Sequence, residues 1–280
     1  MTHHFLNLSQ PRLMAILNAT PDSFSDGGLL FDGGSIDFNL VSGRVEQLVA
    51  QGAEIIDVGG ESTRPGAQPV GLQEELDRVI PIVQWIASNF DVAISVDTSS
   101  PKVMVEAARC GAHLINDVRA LTRKGALEAA VDTKLLVCLM HMQGKPETMQ
   151  KNPGYQNVFE EVSAYLQSRA LACLNSGISR HKLWLDPGFG FGKTLEHNLT
   201  LLRHLPDLVG LGFPILVGFS RKSMIGDLLG RQRSDRLAGG LALAMMALER
   251  GAKVLRVHDV AATRDIIDTF IAIEALKLNI

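Results

Sequence analysis

Short apolar runs recur along the chain, and each run ends in a polar or glycine-rich turn before a segment with helical spacing. The runs that this pattern predicts as β-strands are residues 13–17, 54–58, 93–96, 114–115, 135–139, 183–185, 215–217 and 254–257. A helix start is also visible, since Ser100 before Pro101 is typical of an N-cap followed by proline at the first helical position. The pattern therefore predicts eight strands that alternate with helices.

Strands that alternate with helices form a parallel sheet, and strands that are apolar throughout are buried on both faces. Eight such units favour a closed (β/α)₈ barrel over an open doubly wound sheet. No proline- or serine-rich linker divides the sequence, so we expect a single α/β TIM-barrel domain over residues 1–280. Pro81 interrupts the helical pattern of residues 74–87, which predicts a kink or break in that helix.

Polar residues stand at or near the carboxyl end of almost every predicted strand. They are Asn18, Asp57, Asp97, Asn116 with Asp117, His141, Asp186, Gly218 with Ser220, and Arg256 with His258. In a barrel these ends converge on one face, where the βα loops build the active site. Any one Asp or Asn could merely begin a turn or cap a helix, but that explanation does not plausibly hold for all eight strands. We therefore expect the active site at the carboxyl ends of the strands.

Arg256 and His258 are two residues apart in the last strand, so their side chains point the same way. Barrel closure places this strand beside the first one, which brings Asn18 near the pair. Such a group would suit a phosphate, because a guanidinium offers a planar fork of donors. The alternative is that Arg256 forms a structural ion pair with an aspartate of the barrel, since a buried arginine needs a partner anion.

Asp97, Asn116 and Asp186 end strands around the barrel and could hydrogen-bond to a flat polar heterocycle in a mostly apolar pocket. An acid/base pair for hydrolysis is the alternative, although no nucleophile-base arrangement accompanies it. The segment D-P-G-F-G-F-G-K-T at 186–194 fits neither the P-loop nor the dinucleotide-binding spacing, and we interpret it as a flexible loop beside Asp186. Residues 20–28 and 59–66 are either loops that close over the site or plain surface turns.

Composition narrows the class of protein. Of the 280 residues 46% are hydrophobic and 20% are charged, which is typical of a globular protein, and the net charge of −3 gives no general attraction for nucleic acid or anionic lipid. Phosphate binding would therefore be local. Cys110, Cys138 and Cys173 show neither a disulfide nor a zinc pattern, and the N-terminus lacks a secretory signal. The longest apolar run, residues 237–248, is too short to span a membrane, so we expect a cytoplasmic protein with no nucleic-acid or membrane partner.

Eight blocks of the sequence together resemble the dihydropteroate synthases, pterin-binding TIM-barrel enzymes of folate biosynthesis. The blocks are residues 15–28, 52–65, 95–98, 115–117, 140–142, 185–188, 218–223 and 256–259. The resemblance implies a transferase that condenses (7,8-dihydropterin-6-yl)methyl diphosphate with 4-aminobenzoate. It favours departure of diphosphate before the arylamine attacks, with concerted displacement as the alternative. It also implies Mg²⁺ as cofactor, small-molecule substrates as partners, and a homodimer packed through late helices. Residues 237–248 are a candidate for that contact, although the sequence alone favours an ordinary core-facing helix there.

The resemblance further implies a role for each matching residue. The pterin ring would contact Asp97, Asn116, Met140, Asp186, Phe191, Gly218, Lys222 and Arg256. The diphosphate would contact Asn18, Thr63, Arg256 and His258, with Mg²⁺ at Asn18. The aminobenzoate side would be bordered by Phe24, Arg64, Pro65 and Ser223. The residues expected to be catalytic are Asp97, Asp186, Lys222, Arg256 and His258.

Two other functions on the same fold stay open as alternatives. A pterin-dependent methyltransferase domain would share the barrel and the ring-binding carboxylates, but it has no diphosphate to bind, so the group formed by Arg256, His258 and Asn18 counts against it. A non-catalytic pterin-binding protein would be expected to have lost loop or anion-site residues. All of those residues are present in this sequence.

Overall fold

The computed structural model describes residues 6–20, 30–32, 35–62 and 66–277. Within these residues, eight parallel strands form one sheet: β1 Arg12–Asn18, β2 Ile55–Gly59, β3 Ala93–Asp97, β4 Leu114–Asp117, β5 Leu136–Met140, β6 Leu183–Asp186, β7 Leu216–Val217 and β8 Val254–Val257. The strands pair in the order β6-β5-β4-β3-β2-β1-β8-β7, and a parallel bridge between Leu185 and Ile215 brings β6 against the start of β7. The sheet is therefore a nearly closed barrel, as the alternating pattern predicts.

Helices connect the strands on the outside of the barrel. Their bounds are α1 Phe38–Ala50, α2 Leu72–Asn89, α3 Pro101–Arg109, α4 Ala126–Thr133, α5 Val158–Asn175, α6 Leu195–Arg203, α7 Leu205–Val209, α8 Ser223–Leu229, α9 Leu237–Glu249 and α10 Val260–Lys277. Ser100 is the N-cap of α3 and Pro101 occupies its first turn, as predicted. A separate antiparallel hairpin pairs Phe31–Asp32 with Ser35–Ile36. Among the described helices, none is both long and apolar enough to cross a membrane.

Of the kink or break predicted at Pro81, the break is wrong, because α2 runs through this residue from Leu72 to Asn89. The kink stays a prediction. A proline inside a helix removes one backbone hydrogen bond and costs about 3 kcal/mol. Val79, Ile82 and Ile86 are fully buried on the face of α2 that packs into the core. We attribute the continuity of the helix to this tertiary packing, which outweighs the local cost of the proline.

The barrel interior is closed at the end where the strands begin. One buried side chain from each strand contributes to a single apolar cluster, namely Met14, Ile55, Ala93, Leu114, Cys138, Trp184, Leu216 and Val254. We call this cluster the floor. A layered apolar interior is what a barrel of eight strands requires, since its centre is a packed core rather than a pore. The floor leaves the opposite end, where the strands finish, for polar groups.

Candidate active site

A cavity of about 430 Å³ opens at the carboxyl ends of the strands. The predicted site residues that line it are Asn18, Asp97, Asn116, Met140, Asp186, Phe191, Gly218, Lys222, Ser223, Arg256 and His258. Side chains from distant parts of the sequence thus meet in one place, as expected for a barrel. The remaining predicted residues, Phe24, Thr63, Arg64 and Pro65, lie outside the described residues, and their roles stay predictions.

Arg256 of β8 holds two carboxylates at the base of the cavity. Its Nε donates to Asp57 Oδ2 at 2.6 Å, and its Nη2 donates to Asp97 Oδ2 at 2.8 Å. The ion pair with a barrel aspartate, one of the two interpretations of this arginine, is therefore present. The side chain of Arg256 is also 22% exposed and lines the cavity. The same guanidinium can thus fix the carboxylates and face a ligand.

Asp57 stands near a strand end in the sequence, but the pattern assigns it no individual role, and the structure supplies one. Its side chain is fully buried, and its Oδ2 accepts from both Arg256 and the Asn116 amide, the latter at 3.1 Å. The sequence contained a signal, because an aspartate between Ile56 and Val58 of a buried strand needs a partner. Asp57 orients two residues of the cavity without lining it itself.

The ionisable groups of the cavity are perturbed by burial. Burial raises the pKa of Asp97 to about 7, against the opposing charge of Arg256, and the neighbouring Asp57 adds to the rise. Burial also raises the pKa of Asp186, against the charge of Lys222. The pKa of Lys222 falls to about 8 for the same reason, although Asp186 opposes the fall. Perturbed groups gathered in one cleft are typical of a functional site.

Lys222 and Phe191 form the wall of the cavity opposite β3. The Lys222 ammonium lies 4.8 Å from the centre of the Phe191 ring and donates to the carbonyl of Phe189. Gly218 lies beside this lysine, and a Cβ atom there would be 3.9 Å from Lys222 Nζ. An aromatic ring, a cation and a bare backbone next to carboxylates suit a flat polar ligand.

The segment between Asp186 and Thr194 is not the flexible loop that its glycine content suggested. Gly188, Gly190 and Gly192 have φ values of 68°, 79° and 61°, which favour glycine. A Cβ at Gly188 would lie 1.9 Å from the carbonyl oxygen of His141, so no side chain fits there. The glycine spacing therefore reflects close backbone packing and not phosphate binding.

Side chains from neighbouring elements fix the same segment. Tyr155 Oη donates to the Gly192 carbonyl at 2.8 Å, and Gln150 Nε2 donates to the Gly190 carbonyl at 2.5 Å. The Asn198 amide oxygen accepts from the Gly190 N–H at 2.7 Å. These long-range hydrogen bonds contradict the prediction of a flexible loop, since a segment with its backbone groups paired and largely buried is held in place.

His258 lies at the rim of the cavity, where its Nδ1 is 3.2 Å from Ser220 Oγ. Asp259 next to it forms an ion pair with Arg221 at 2.6 Å. Burial opposes ionisation of Asp259, but the hydrogen bond and charge of Arg221 prevail and lower its pKa. Arg256, His258 and Asn18 line one cavity, as their positions on adjacent strands predicted.

The residues around Asn18 are compatible with a hard cation. Asn18 lines the cavity, and its amide oxygen is the atom that could bind a cation. Its buried Nδ2 has no hydrogen-bond partner and, as a donor, could pair with a phosphate oxygen. The described part of the chain contains no group of three or more His, Cys, Asp or Glu that could hold a metal. Mg²⁺ commonly binds through one or two protein oxygens, with waters and phosphate oxygens completing its shell. Asn18 fits this mode with a phosphate-bearing ligand.

Comparison with known proteins agrees with this geometry. Residues 14–258 match the family model described as pterin binding enzyme. The chain is 54% identical to the dihydropteroate synthase of Escherichia coli (strain K12) over 261 residues, which cover 92% of this chain and 90% of the relative.

Two solved structures share the fold over nearly the whole chain. One is the Yersinia pestis dihydropteroate synthase in a sulfonamide drug complex, with 48% identity, a TM-score of 0.91 and 96% coverage of both chains. The other is the Xanthomonas albilineans dihydropteroate synthase with 4-aminobenzoic acid, with 46% identity, a TM-score of 0.88 and coverage of 96% of this chain and 94% of that one.

Proposed function

The chain belongs to the pterin binding enzymes and, among them, to the dihydropteroate synthases, and we propose that its cavity is where a dihydropterin diphosphate is joined to 4-aminobenzoate. The chain is accordingly a transferase. A single observation carries the assignment of the cavity. Arg256 lies between two carboxylates at the bottom of the cavity, which is also lined by Asp97, Asn116, Asp186 and Lys222.

The pterin ring would lie at the base of this cavity. Asp97, Asn116 and Asp186 would exchange hydrogen bonds with its amino and ring nitrogens, while Lys222 would donate to a ring acceptor. Buried polar groups of this kind select strongly for one ring, because a wrong ring leaves them unpaired. Met140 and Phe191 would contact its faces.

The diphosphate would lie at the rim, against Asn18, Arg256 and His258. A Mg²⁺ ion held through Asn18 would supply neutralisation of the phosphate charge. The bond between the pterin methylene carbon and the diphosphate oxygen breaks with its electron pair leaving on oxygen. The neutral arylamine nitrogen then attacks the methylene carbon and releases its proton to solvent. Arg256 and His258 stabilise the charge that develops on the leaving group.

Release of diphosphate tests this function. Purified protein incubated with the two substrates and Mg²⁺ should release diphosphate, and a methyltransferase domain or a non-catalytic pterin-binding protein should not. Replacement Lys222→Ala should weaken pterin binding by about ten- to a hundredfold in calorimetry, because one charged hydrogen bond is lost. Unchanged affinity in a folded variant would refute the assignment of Lys222.

The 4-aminobenzoate would enter from the side of Ser223, which lines the cavity at the start of α8. Its carboxylate would face the cationic rim formed by Arg221, Arg233 and Arg236. Binding should follow that of diphosphate or the pterin ester. Tight binding of 4-aminobenzoate to ligand-free protein in calorimetry would contradict this order.

We also propose that the protein is a cytoplasmic homodimer. Leu228 and Leu229 of α8 and Leu237 and Met246 of α9 are 39–50% exposed on two helices that contact each other, and together they offer an apolar surface to a second copy of the chain. The three cysteines are all thiols, which fits a reducing compartment. Sedimentation should give twice the chain mass of 30.3 kDa, and Met246→Arg should give the monomer. A wild-type monomer would contradict the proposal.

A further inference from the structure

Lys193 is a buried lysine at the end of the turn that follows β6, and its ammonium contacts several hydrogen-bond acceptors. The residue is 3% exposed and is not among the residues that line the cavity. Its Nζ lies 2.9 Å from the Gly188 carbonyl, 3.0 Å from the Phe191 carbonyl and 2.9 Å from His141 Nδ1, with the His141 carbonyl at 3.5 Å. An ammonium has three N–H groups, and each has an acceptor here.

These contacts join two loops of the barrel. His141 follows β5, while Gly188 and Phe191 belong to the turn that follows β6. Burial and, to a smaller extent, the charge of Lys193 lower the pKa of His141 to about 3, so the imidazole is neutral and its Nδ1 can accept. Burial lowers the pKa of Lys193 to about 7, although the charge of Asp186 opposes the fall. A buried ammonium is costly unless it is hydrogen-bonded, and this side chain is bonded to both loops.

The turn held by Lys193 carries the groups that face the heterocycle. The Gly188 N–H donates to Asp186 Oδ1 at 2.7 Å, the Phe189 carbonyl accepts from Lys222, and the Phe191 ring lines the cavity. A shift of the turn would therefore move three groups together: the N–H that pairs with Asp186, the carbonyl that pairs with Lys222, and the Phe191 ring. Among the described residues, the partners of the Lys193 side chain belong to the loops after β5 and β6 and not to the side of Ser223.

We propose that Lys193 is a positioning residue for the pterin slot, whose ammonium fixes the turn of residues 187–192 against the loop after β5. The inference rests on the proposed function, since it concerns the same cavity. It differs from a purely structural role in one respect, because the two substrates are affected unequally. Loss of the ammonium should weaken binding of the pterin substrate and leave binding of the aminobenzoate largely unaffected.

The test compares Lys193→Met with Lys182→Met. Lys182 stands at the other end of β6 and also donates to a backbone carbonyl, that of Lys134 at 2.5 Å, so it controls for loss of a lysine charge. Lys193→Met should raise the KM for the dihydropterin diphosphate, and weaken a pterin ligand in calorimetry, by about ten- to a hundredfold. With the dihydropterin diphosphate held at a saturating concentration, the KM for 4-aminobenzoate should change less than about threefold. Lys182→Met should change neither constant.

A folded Lys193→Met variant that binds the pterin like the wild type, with a lower melting temperature as its sole change, would overturn the proposal. Equal rises in both KM values would also overturn it. If this variant does not fold, His141→Leu and His141→Asn replace it, because asparagine keeps an acceptor and leucine does not. Weaker pterin binding in the leucine variant than in the asparagine variant is the expected result, and equal binding would refute it.

Failure of the proposed function is distinguishable from failure of this inference. Wild-type protein that releases no diphosphate would contradict the synthase reaction. Pterin binding measured by calorimetry does not depend on turnover, so the comparison between Lys193→Met and Lys182→Met can still be made on such a protein.

Discussion

The two ends of the barrel are built from the same strands, a few residues apart, but one end is an apolar core and the other is a polar, charged cavity. At the floor, Met14, Leu114 and Trp184 are buried among apolar neighbours. The opposite end, where the strands finish and the cavity opens, we call the mouth. Asn116 and Asp186 lie there, each two residues further along its strand, and line the polar cavity. Because the floor is packed without polar groups, its burial can stabilise the fold while the mouth holds charges that are costly to bury.

Each end also contains an ionic cluster, and the two clusters differ in charge balance. Near the floor, Glu54 lies between Arg12 and Arg264, and its side chain is 14% exposed. Arg264 also pairs with Asp268 at 2.7 Å, so this cluster has two acids for two bases. At the mouth, Arg256 lies between Asp57, which is fully buried, and Asp97. Two acids share one base there, which leaves acceptor capacity for a ligand that donates hydrogen bonds.

The largest effect is expected from breaking the floor. Replacement Trp184→Ala should lower the free energy of unfolding by about 3–5 kcal/mol, because a large, fully buried side chain is lost. Urea denaturation measures the loss, and calorimetry on the folded variant should find pterin affinity within about threefold of the wild type. Leu171→Ala, at a position 56% exposed, is the control and should change little. A strong loss of affinity would mean that the two ends are coupled.

The next effect is expected from breaking the ionic cluster at the mouth. Asp57→Asn keeps the shape of the side chain but removes its charge, so Arg256 and Asn116 lose their common anionic acceptor. Pterin affinity should fall by about ten- to a hundredfold, the equivalent of about 1.5–3 kcal/mol for hydrogen bonds to a charged group. Calorimetry with a pterin ligand checks this. Affinity equal to that of the wild type would show that Asp57 does not orient the cavity.

A smaller effect is expected from pH. The pKa of Asp97 is raised by burial from 3.8 to about 7, so its carboxylate is present above pH 7 and lost below it. If the pterin donates to this carboxylate, affinity should fall by up to about tenfold per pH unit below 7. Stability has the opposite sign. The folded protein binds more protons than the unfolded chain between these pKa values, so the contribution of Asp97 to stability decreases as the pH rises through this range.

The control for the pH experiment is Asp97→Asn, which cannot titrate. Its pterin affinity should be lower at pH 8 and should lose the part of the pH dependence that belongs to this residue. Titration calorimetry at several pH values measures both proteins. A variant with the full wild-type pH profile would assign the dependence to another group of the cavity, such as Lys222.

The smallest effect on ligand binding is expected from breaking the ionic cluster near the floor. Glu54→Gln should cost about 1–3 kcal/mol of unfolding free energy, because this carboxylate is mostly buried and Arg12 and Arg264 lose a charged acceptor. Pterin affinity and turnover should not change. The variants Glu54→Gln and Asp57→Asn thus remove one charge from each end of the barrel, and an equal effect of both on pterin binding would contradict the division of roles between the two ends.

Much of the fold could be predicted because it follows from local patterns. All eight predicted strands are present, and their ends differ from the prediction by at most two residues. Pro81 does not break its helix, because that helix is stabilised by contacts with the core, which a local rule does not see. The turn after Asp186 was misread for a related reason, since glycine content fits both a flexible loop and a tightly packed one.

The sequence by itself determined the barrel, the end that carries the chemistry and the residues that stand there. Periodicity and strand ends are properties of neighbouring residues, and neighbours are visible in a sequence. Only the tertiary structure decided which of these residues touch. Arg256 and Asp57 are 199 residues apart, and Lys193 and His141 are 52 apart. Such pairs form because closure of the barrel brings separate strands together, and their burial then makes each charged group depend on its partner.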